Sequence, residues 1–474
     1  MMRPLICKDF ARLSKFASVI LSGDHADQRE AGIDRAAGSG ALNRTALLRK
    51  REFALAALAI ALAFIILNLR AYDGFFQDDE IDTLSWSPSR HLSEYVIAFL
   101  KPTFDVSNFR PVGHIYYLLM GRAFGLDFPP YVTPLFVIHL LNAALLFLLL
   151  RRISIGQWAA LAGTAFFTLS ASAFDVYWKP MYVFDLLCAT FALASMLLYT
   201  QRRWILSFVA FWCAYKAKEI AVTLPLVLLA YEYWLGNRRY RPLIPFFAVA
   251  ASFGLQGILL NPNKDNEYTF RFTPAALLAT APFYAGRFLL IPFSGFALLA
   301  LALLRDRRVW FGLITGGAFL FVLLFLPGRL FEAYAYLPLA GATIAMAASA
   351  THIRPVWAWA ALALWMPWNI RDLHREARIK LALDDEAAAY VFQMQEWAAR
   401  HPGTPGTLVY SGLPRGYHHW GVNGAWNIAH KTLGLSAYYV GWPEAAKAAA
   451  SGPVTVGTWG WDGRTGRLVL HTQP

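Results

Sequence analysis

The sequence predicts an all-α polytopic membrane fold with a small α/β domain at its C-terminal end, and three observations carry that prediction. The first is composition: 57% of the 474 residues are hydrophobic and 15% are charged, against about 45–50% apolar and about 25% charged in soluble domains. The second is a succession of about 11 apolar runs, most of them long enough to cross a bilayer. The third is a change near Arg371, beyond which the chain turns polar and gains strand patterns. The net charge of +13 comes from cations that stand mostly at the ends of apolar runs, where membrane topology accounts for them. Nucleic acid is therefore discounted as a partner. Cys7, Cys188 and Cys213 form no CxxC pair and have no histidine at ligand spacing, so neither a disulfide framework nor a zinc site is expected.

Taken in order, residues 1–48 are polar, mixed and without a sustained period, the composition of a disordered cytoplasmic tail. The run from Phe53 to Leu69 fits a spanning helix, and Lys50-Arg51 before it set that end in the cytoplasm. Residues 70–130 contain no run apolar enough to span, yet "LSEYVIAFL" and "HIYYLLMGRAF" have the amphipathic spacing of interfacial helices. They form a long, ordered first external loop. Further spans are expected from Tyr131 to Leu150, Ile155 to Phe174, Val183 to Thr200, Trp204 to Tyr215 and Ile220 to Trp234. Five more run from Leu243 to Leu260, Phe288 to Leu304, Val309 to Leu326, Tyr336 to Ala350 and Val356 to Ile370. With this alternation every compact pair or triplet of arginines falls on the cytoplasmic side. Residues 49–370 are thus the transmembrane domain. Residues 371–474 are a small extracytoplasmic α/β domain, with a helix near Asp384 to Arg400, a strand in "TLVYSG" and a hairpin turning at Asp462-Gly463. No internal repeat is visible, which argues against an array or propeller.

The chemistry starts at Phe76-Gln77-Asp78-Asp79-Glu80-Ile81-Asp82, an acidic cluster directly behind the first span. Acids crowded at an interface repel one another and lose hydration, which raises the pKa of at least one and makes it a better proton acceptor. The bland alternative is that Asp78 or Asp79 caps a helix beginning near Ile81. On the same external side the topology leaves isolated cations: Arg110, Lys179, Lys216, Lys218, Arg271, Arg287 and Arg329. A carboxylate that takes a proton from an acceptor hydroxyl, with cations to stabilise charge on a departing phosphate, suits group transfer. Lys216-Ala217-Lys218-Glu219 lies between two short apolar runs, where ionisable groups are costly and mark function; snorkelling lysines of an ordinary loop would look the same. Arg287 within "APFYAGRFLLIPF" and Arg329 at the head of "RLFEAYAYLP" are candidate phosphate ligands, because guanidinium grips two phosphate oxygens. Either can instead be a headgroup anchor.

The donor is narrowed by what is missing. There is no GxGxxG between strand and helix and no P-loop, so an outward-facing, mostly membranous transferase most simply draws on a lipid-linked phosphosugar. His114 and His139, in or beside apolar helices, are expected to be packed rather than to bind metal. Trp420, Trp426, Trp442, Trp459 and Trp461 suit either sugar stacking or the core of a small domain.

The segments "FFQDDEIDTLSW", "NFRPVGHIYYLLMGRAFGLDFPPYVTPLFVIHLLNAALLFLLLRR", "KAKEIAVTLPLVLLAYEYW" and "RLFEAYAYLPLAG" resemble the C-type (GT-C) membrane glycosyltransferases. The likeness is to bacterial relatives of the protein O-mannosyltransferases and other polyprenyl-phosphate-sugar transferases, over roughly residues 53–350. It implies a GT-C-like fold and transfer of a hexosyl or pentosyl group from a polyprenyl-phosphate donor at the outer face of the inner (plasma) membrane. It implies an acidic base in the first external loop, here Asp78 or Asp79 with Glu80 as neighbour. The family's Lys-Glu pair matches Lys218-Glu219, and its Arg/Tyr-rich motif matches Arg329, Tyr334 and Tyr336. Lys216, Arg287 and Glu219 join the expected donor phosphate set. Some members use a divalent cation, which Asp78, Asp79 and Glu80 can hold between them. Ala217 stands where the family has a small polar residue, and the C-terminus lacks the helical repeats of some relatives. The acceptor, whether glycan, lipid or protein, therefore stays open. A transporter or flippase of lipid-linked glycan would place charges near mid-span or carry broken inverted repeats, whereas these charges collect on one face. A glycan ligase or polymerase is a further enzyme alternative.

Overall fold

The computed structural model describes residues 39–104, 109–260, 267–403, 406–462 and 465–473. Most of the expected tail, with Cys7, lies outside the described residues, as does Gly463 of the expected hairpin turn. Residues 1–56 and 57–474 are two compact units. The first is helical from Ser39, within the segment read as tail, because the helix Ser39–Leu67 starts ahead of the apolar run.

The second unit is mostly helical, with several apolar helices and a small C-terminal sheet. Among the described residues five helical stretches have the length and hydropathy to cross a membrane: Arg51–Asp73, Pro129–Arg152, Pro180–Thr200, Arg307–Phe325 and Glu332–His352. Two bent pairs raise the number to 7: Gln157–Leu169 with Ala171–Trp178, broken by 44°, and Pro274–Leu289 with Ser294–Leu304, broken by 77°. The chain is thus a multi-pass membrane protein. The expected span from Trp204 is the helix Trp204–Ala217, only 14 residues long, and that from Ile220 is reduced to Leu224–Trp234, 11 residues. At about 1.5 Å per residue neither crosses about 30 Å of hydrocarbon alone.

The core of this unit is aromatic and polar together. Phe136, His139 and Tyr177 surround Phe64 with ring centroids 4.7–5.1 Å away. Several buried polar groups in it are paired, as a lipid-embedded structure favours: Trp178 Nε1 donates to Asn68 Oδ1 at 2.7 Å, and Asn369 Nδ2 to the Leu169 carbonyl at 2.7 Å.

The C-terminal region is built on the long helix Pro355–Arg400, which runs unbroken for 46 residues from the last apolar run into the polar domain. Four strands follow: β1 Thr407–Ser411, β2 Ser436–Tyr439, β3 Val454–Trp461 and β4 Gly466–Gln473, in the order β2-β1-β3-β4. β1 is parallel to β2 and β3, and β3 pairs antiparallel with β4. Parallel neighbours need crossover connections, supplied here by the helices His419–Ala429 and Pro443–Ser451. The long helix is tied to this sheet through Glu386, which accepts from Arg415 Nε at 2.7 Å and Trp459 Nε1 at 3.3 Å. Gln393 exchanges bonds with the backbone of Gly466 and Leu468.

Candidate functional site

The acidic cluster opens a helix, Asp78–Trp86. Its cap is neither Asp78 nor Asp79: Glu80, at the third helical position, turns back to accept the Gln77 N–H at 2.6 Å, one half of a capping box. Glu80 also accepts the Met181 N–H at 2.9 Å and is fully buried. Burial pushes its carboxyl up to about 7 although Lys179 opposes the shift. Glu80 is therefore a structural cap that faces inward. The approach to the helix is held by Asp384 of the long helix, which accepts from Phe75 N at 3.1 Å, Gln77 Nε2 at 2.9 Å and the buried Lys179. Lys179 also donates to the Phe75 carbonyl at 2.8 Å.

The other carboxylates are held from the C-terminal domain. Asp78, 6% exposed, accepts from the backbone of His418 at 2.8 Å and Gly421 at 3.1 Å, and its second oxygen pairs with His418 Nδ1 at 2.9 Å. Burial raises its pKa against those bonds. Asp79 is exposed, and among the described residues its one side-chain bond comes from Trp420 Nε1, at 2.7 Å to Oδ1. Burial pushes Asp82 up to about 6. These contacts exist because the helix His419–Ala429 lies against Asp78–Trp86 through two glycines. A Cβ at Gly421 would run into Asp78 Oδ1, and one at Gly424 would stand 2.7 Å from Asp82 Cα.

The divalent cation that the resemblance allows has no evident ligand set among the described residues. Asp78 turns to His418, Asp79 to Trp420 and Glu80 to Met181, so the three carboxylates diverge. No group of three metal-ligating side chains occurs among the described residues.

Lys218, Arg329 and Tyr334 do come together. Lys218 Nζ stands 4.4 Å over the Tyr334 ring and is held by both oxygens of Asp185, at 2.6 and 2.5 Å. Arg329 donates from Nη2 to the Tyr334 hydroxyl at 3.3 Å and from Nη1 to Glu267 at 2.9 Å, and its guanidinium lies 4.2 Å over Tyr268. Its Nε is buried without a hydrogen-bond partner among the described residues. Glu219 accepts from Arg110 Nε at 2.7 Å beside this hub. Asp79, Arg329 and Tyr334 all lie within electrostatic reach of Tyr268. An apolar cavity of about 220 Å³ adjoins the hub, lined by Tyr284, Phe288, Leu298, Leu320 and Leu324; Tyr284 packs among the same residues as Tyr334. A second apolar cavity, of about 590 Å³, shares Leu298 with it.

Two expected phosphate ligands, Lys216 and Tyr336, are turned away from this hub, while Arg287 lies 5.5 Å over Phe283, which packs with Tyr334. Lys216 is buried among Phe104, Trp212 and Tyr215 and donates to the Thr103 carbonyl at 3.1 Å, because its helical position turns it to the opposite side from Lys218. The Tyr336 hydroxyl is in the core, bonded to His139 Nδ1 at 2.8 Å and Asn142 Nδ2 at 3.1 Å. Arg287 pairs with Glu332, whose other charged neighbours are Asp175, Glu376 and Lys380.

Sequence reasoning did not single out Asp185, Asp384 or His418. Asp185 had a signal, an ionisable residue inside the apolar run from Val183 to Thr200. Asp384 and His418 had none, since they act across about 300 residues of sequence or more.

No family model matches the chain, and no curated protein matches it in sequence. Two solved structures are similar to it. One is ArnT from Cupriavidus metallidurans in the apo state, 13% identical, with a TM-score of 0.49, covering 87% of this chain and 93% of that one. The other is ArnT from Cupriavidus metallidurans bound to undecaprenyl phosphate, 11% identical, with a TM-score of 0.48, covering 86% and 93%.

Proposed function

We propose that this chain is a GT-C-type glycosyltransferase that moves a sugar from a polyprenyl-phosphate donor to an acceptor hydroxyl at the extracytoplasmic face of the inner membrane. The observation that supports the reading is the Lys218–Tyr334–Arg329 hub, with Asp79 and Arg329 both within electrostatic reach of Tyr268. Asp79 is the base: it is exposed and keeps one oxygen outside the Trp420 bond, whereas both oxygens of Asp78 are engaged. It takes the proton as the acceptor oxygen attacks the anomeric carbon. The bond from that carbon to the phosphate oxygen breaks, and polyprenyl phosphate leaves with the configuration inverted. Lys218 and Arg329 then stabilise the phosphate's added charge. Asp185 and Glu267 hold the two cations in place before the donor arrives, so little ordering is left for the moment of reaction. The adjoining apolar cavity suits the first isoprene units of the lipid.

The test uses purified protein in detergent with a polyprenyl-phosphate sugar and a mixed acceptor extract, scored for release of free polyprenyl phosphate. Asp79→Asn should keep donor binding and lower turnover by at least tenfold, about 1.4 kcal/mol of barrier. Unchanged turnover would remove Asp79 as base. A wild-type protein that releases nothing, while vesicles show the donor crossing the bilayer, would make the chain a transporter.

A further inference from the structure

Five aromatic side chains of the C-terminal domain stand beside the acidic helix at the protein surface. The Trp420 indole, 43% exposed, is aimed by its own N–H, which donates to Asp79 Oδ1. The His418 ring, with 62% of its side chain exposed, stacks on it at 4.8 Å and 7° while its Nδ1 pairs with Asp78. On the next residue the His419 ring meets Trp442 at 4.6 Å, and Trp442 lies 6.4 Å from Tyr439. Trp442 is 38% and Tyr439 41% exposed. The two groups adjoin because His418, His419 and Trp420 are consecutive, and Tyr410, which bonds His419 Nδ1 at 3.5 Å and packs on Tyr439, ties the second group together.

Packing does not require this display. The domain's core is already filled by Trp426 and Trp459, both buried, with Trp461 stacked on Trp459 at 6.3 Å. Rigid rings with an apolar face and a polar edge are the residues that desolvate well at a binding surface, and leaving several of them in water is costly unless something covers them. The occupant must offer C–H faces to the rings and hydroxyls to their edges, and it must bring one hydroxyl to the oxygen of Asp79 that Trp420 leaves unbonded. A sugar ring does all three. A lipid tail has no hydroxyl, and a lone Ser or Thr side chain has no ring to cover two aromatic groups.

We infer that the surface of His418, Trp420, His419, Tyr439 and Trp442 is the acceptor subsite and that it takes a saccharide of more than one ring, so that the acceptor is a glycan. Trp420 holds the reacting ring against Asp79, and Trp442 with Tyr439 holds the neighbouring ring. The inference rests on the reading of Asp79 as base, and its test separates the two.

Full-length protein in detergent is applied to an array of defined oligosaccharides, and in parallel its binding of undecaprenyl phosphate is followed by native mass spectrometry. The wild type should retain a set of related glycans. Asp79→Asn, which loses the base but none of the aromatic surface, should bind the same set more strongly than the alanine variants of the rings do, with turnover lost. Trp442→Ala combined with Tyr439→Ala should bind them at least tenfold more weakly, and Trp420→Ala likewise, with undecaprenyl phosphate binding unchanged in both. Trp442→Phe should restore much of the glycan signal, which a fold defect would not allow. Capture of undecaprenyl phosphate with no glycan retained, or glycans retained equally by the alanine variants, overturns the acceptor subsite and leaves the donor reading standing. Glycans retained by aromatic stacking in a protein that takes no lipid phosphate would uphold the subsite and remove the donor reading.

Discussion

Arg329 is held by Nη1 on Glu267, Nη2 on the Tyr334 hydroxyl and two rings against its face, with a buried Nε that has no partner among the described residues. A buried donor left unmade costs free energy, and a phosphate oxygen would satisfy it. Arg329→Lys keeps the charge and loses the planar fork. Donor binding should weaken by about tenfold or more, since bonds to charged groups contribute about 1.5–3 kcal/mol, while binding of free oligosaccharide stays as it was; titration with undecaprenyl phosphate checks both. At this scale charge stood out against apolar surroundings at Lys218, Arg329 and Asp79, and the first two meet at Tyr334. The sequence was not readable where a helical turn decides which way a side chain faces. Lys216 and Lys218 are two residues apart and point to different sides, and Tyr334 and Tyr336 divide in the same way between hub and core.

Among the elements, the contact between Asp78–Trp86 and His419–Ala429 decides whether the site exists. Gly424 makes it close: a methyl there would meet the Asp82 backbone at 2.7 Å, and backbone cannot step aside as a long side chain can. Gly424→Ala should cost about 1–3 kcal/mol. The outcome to measure is a lower melting midpoint in detergent with faster tryptic release of the C-terminal domain. A melting curve identical to wild type would mean that the two helices are not held in this register. The strand "TLVYSG" and the β3–β4 hairpin were legible from alternation and turn residues. The docking of this domain was not, because two glycines on a short helix carry no pattern of their own. The long helix was read as a span ending at Ile370 and a second helix near Asp384. The charges between them end the apolar run but not the helix, since "RDLHREARIKLALDDEAAAY" is rich in strong helix formers.

For the whole molecule, the topology predicted by arginine placement has a direct check. In a variant without its native cysteines, Thr432→Cys should react with a membrane-impermeant thiol reagent in intact cells, and Arg307→Cys should react only after the membrane is opened. Both positions are exposed, so access to the reagent depends on the compartment alone. The reverse pattern would turn the carboxylates to the cytoplasm and remove the case for a lipid-linked donor. Apolar runs and arginine pairs announce such an architecture because the bilayer imposes them; the 44° break at Ser170 stayed hidden because neither Gly nor Pro marks it. The helix Pro355–Arg400, at about 1.5 Å per residue, is a rod of roughly 70 Å. A bilayer that thins or thickens is met by tilting of such rods, and an enzyme assembled from two loosely joined layers would see its reacting groups drift apart with every change of lipid. Here Asp384 grips the segment that leads into the acidic helix, and two residues further along the same rod Glu386 grips the sheet layer through Arg415 and Trp459. Because one rod holds both the acidic helix and the sheet layer, the proposed site should keep its spacing, and its turnover, across bilayers of different thickness, which activity in vesicles of graded acyl-chain length checks.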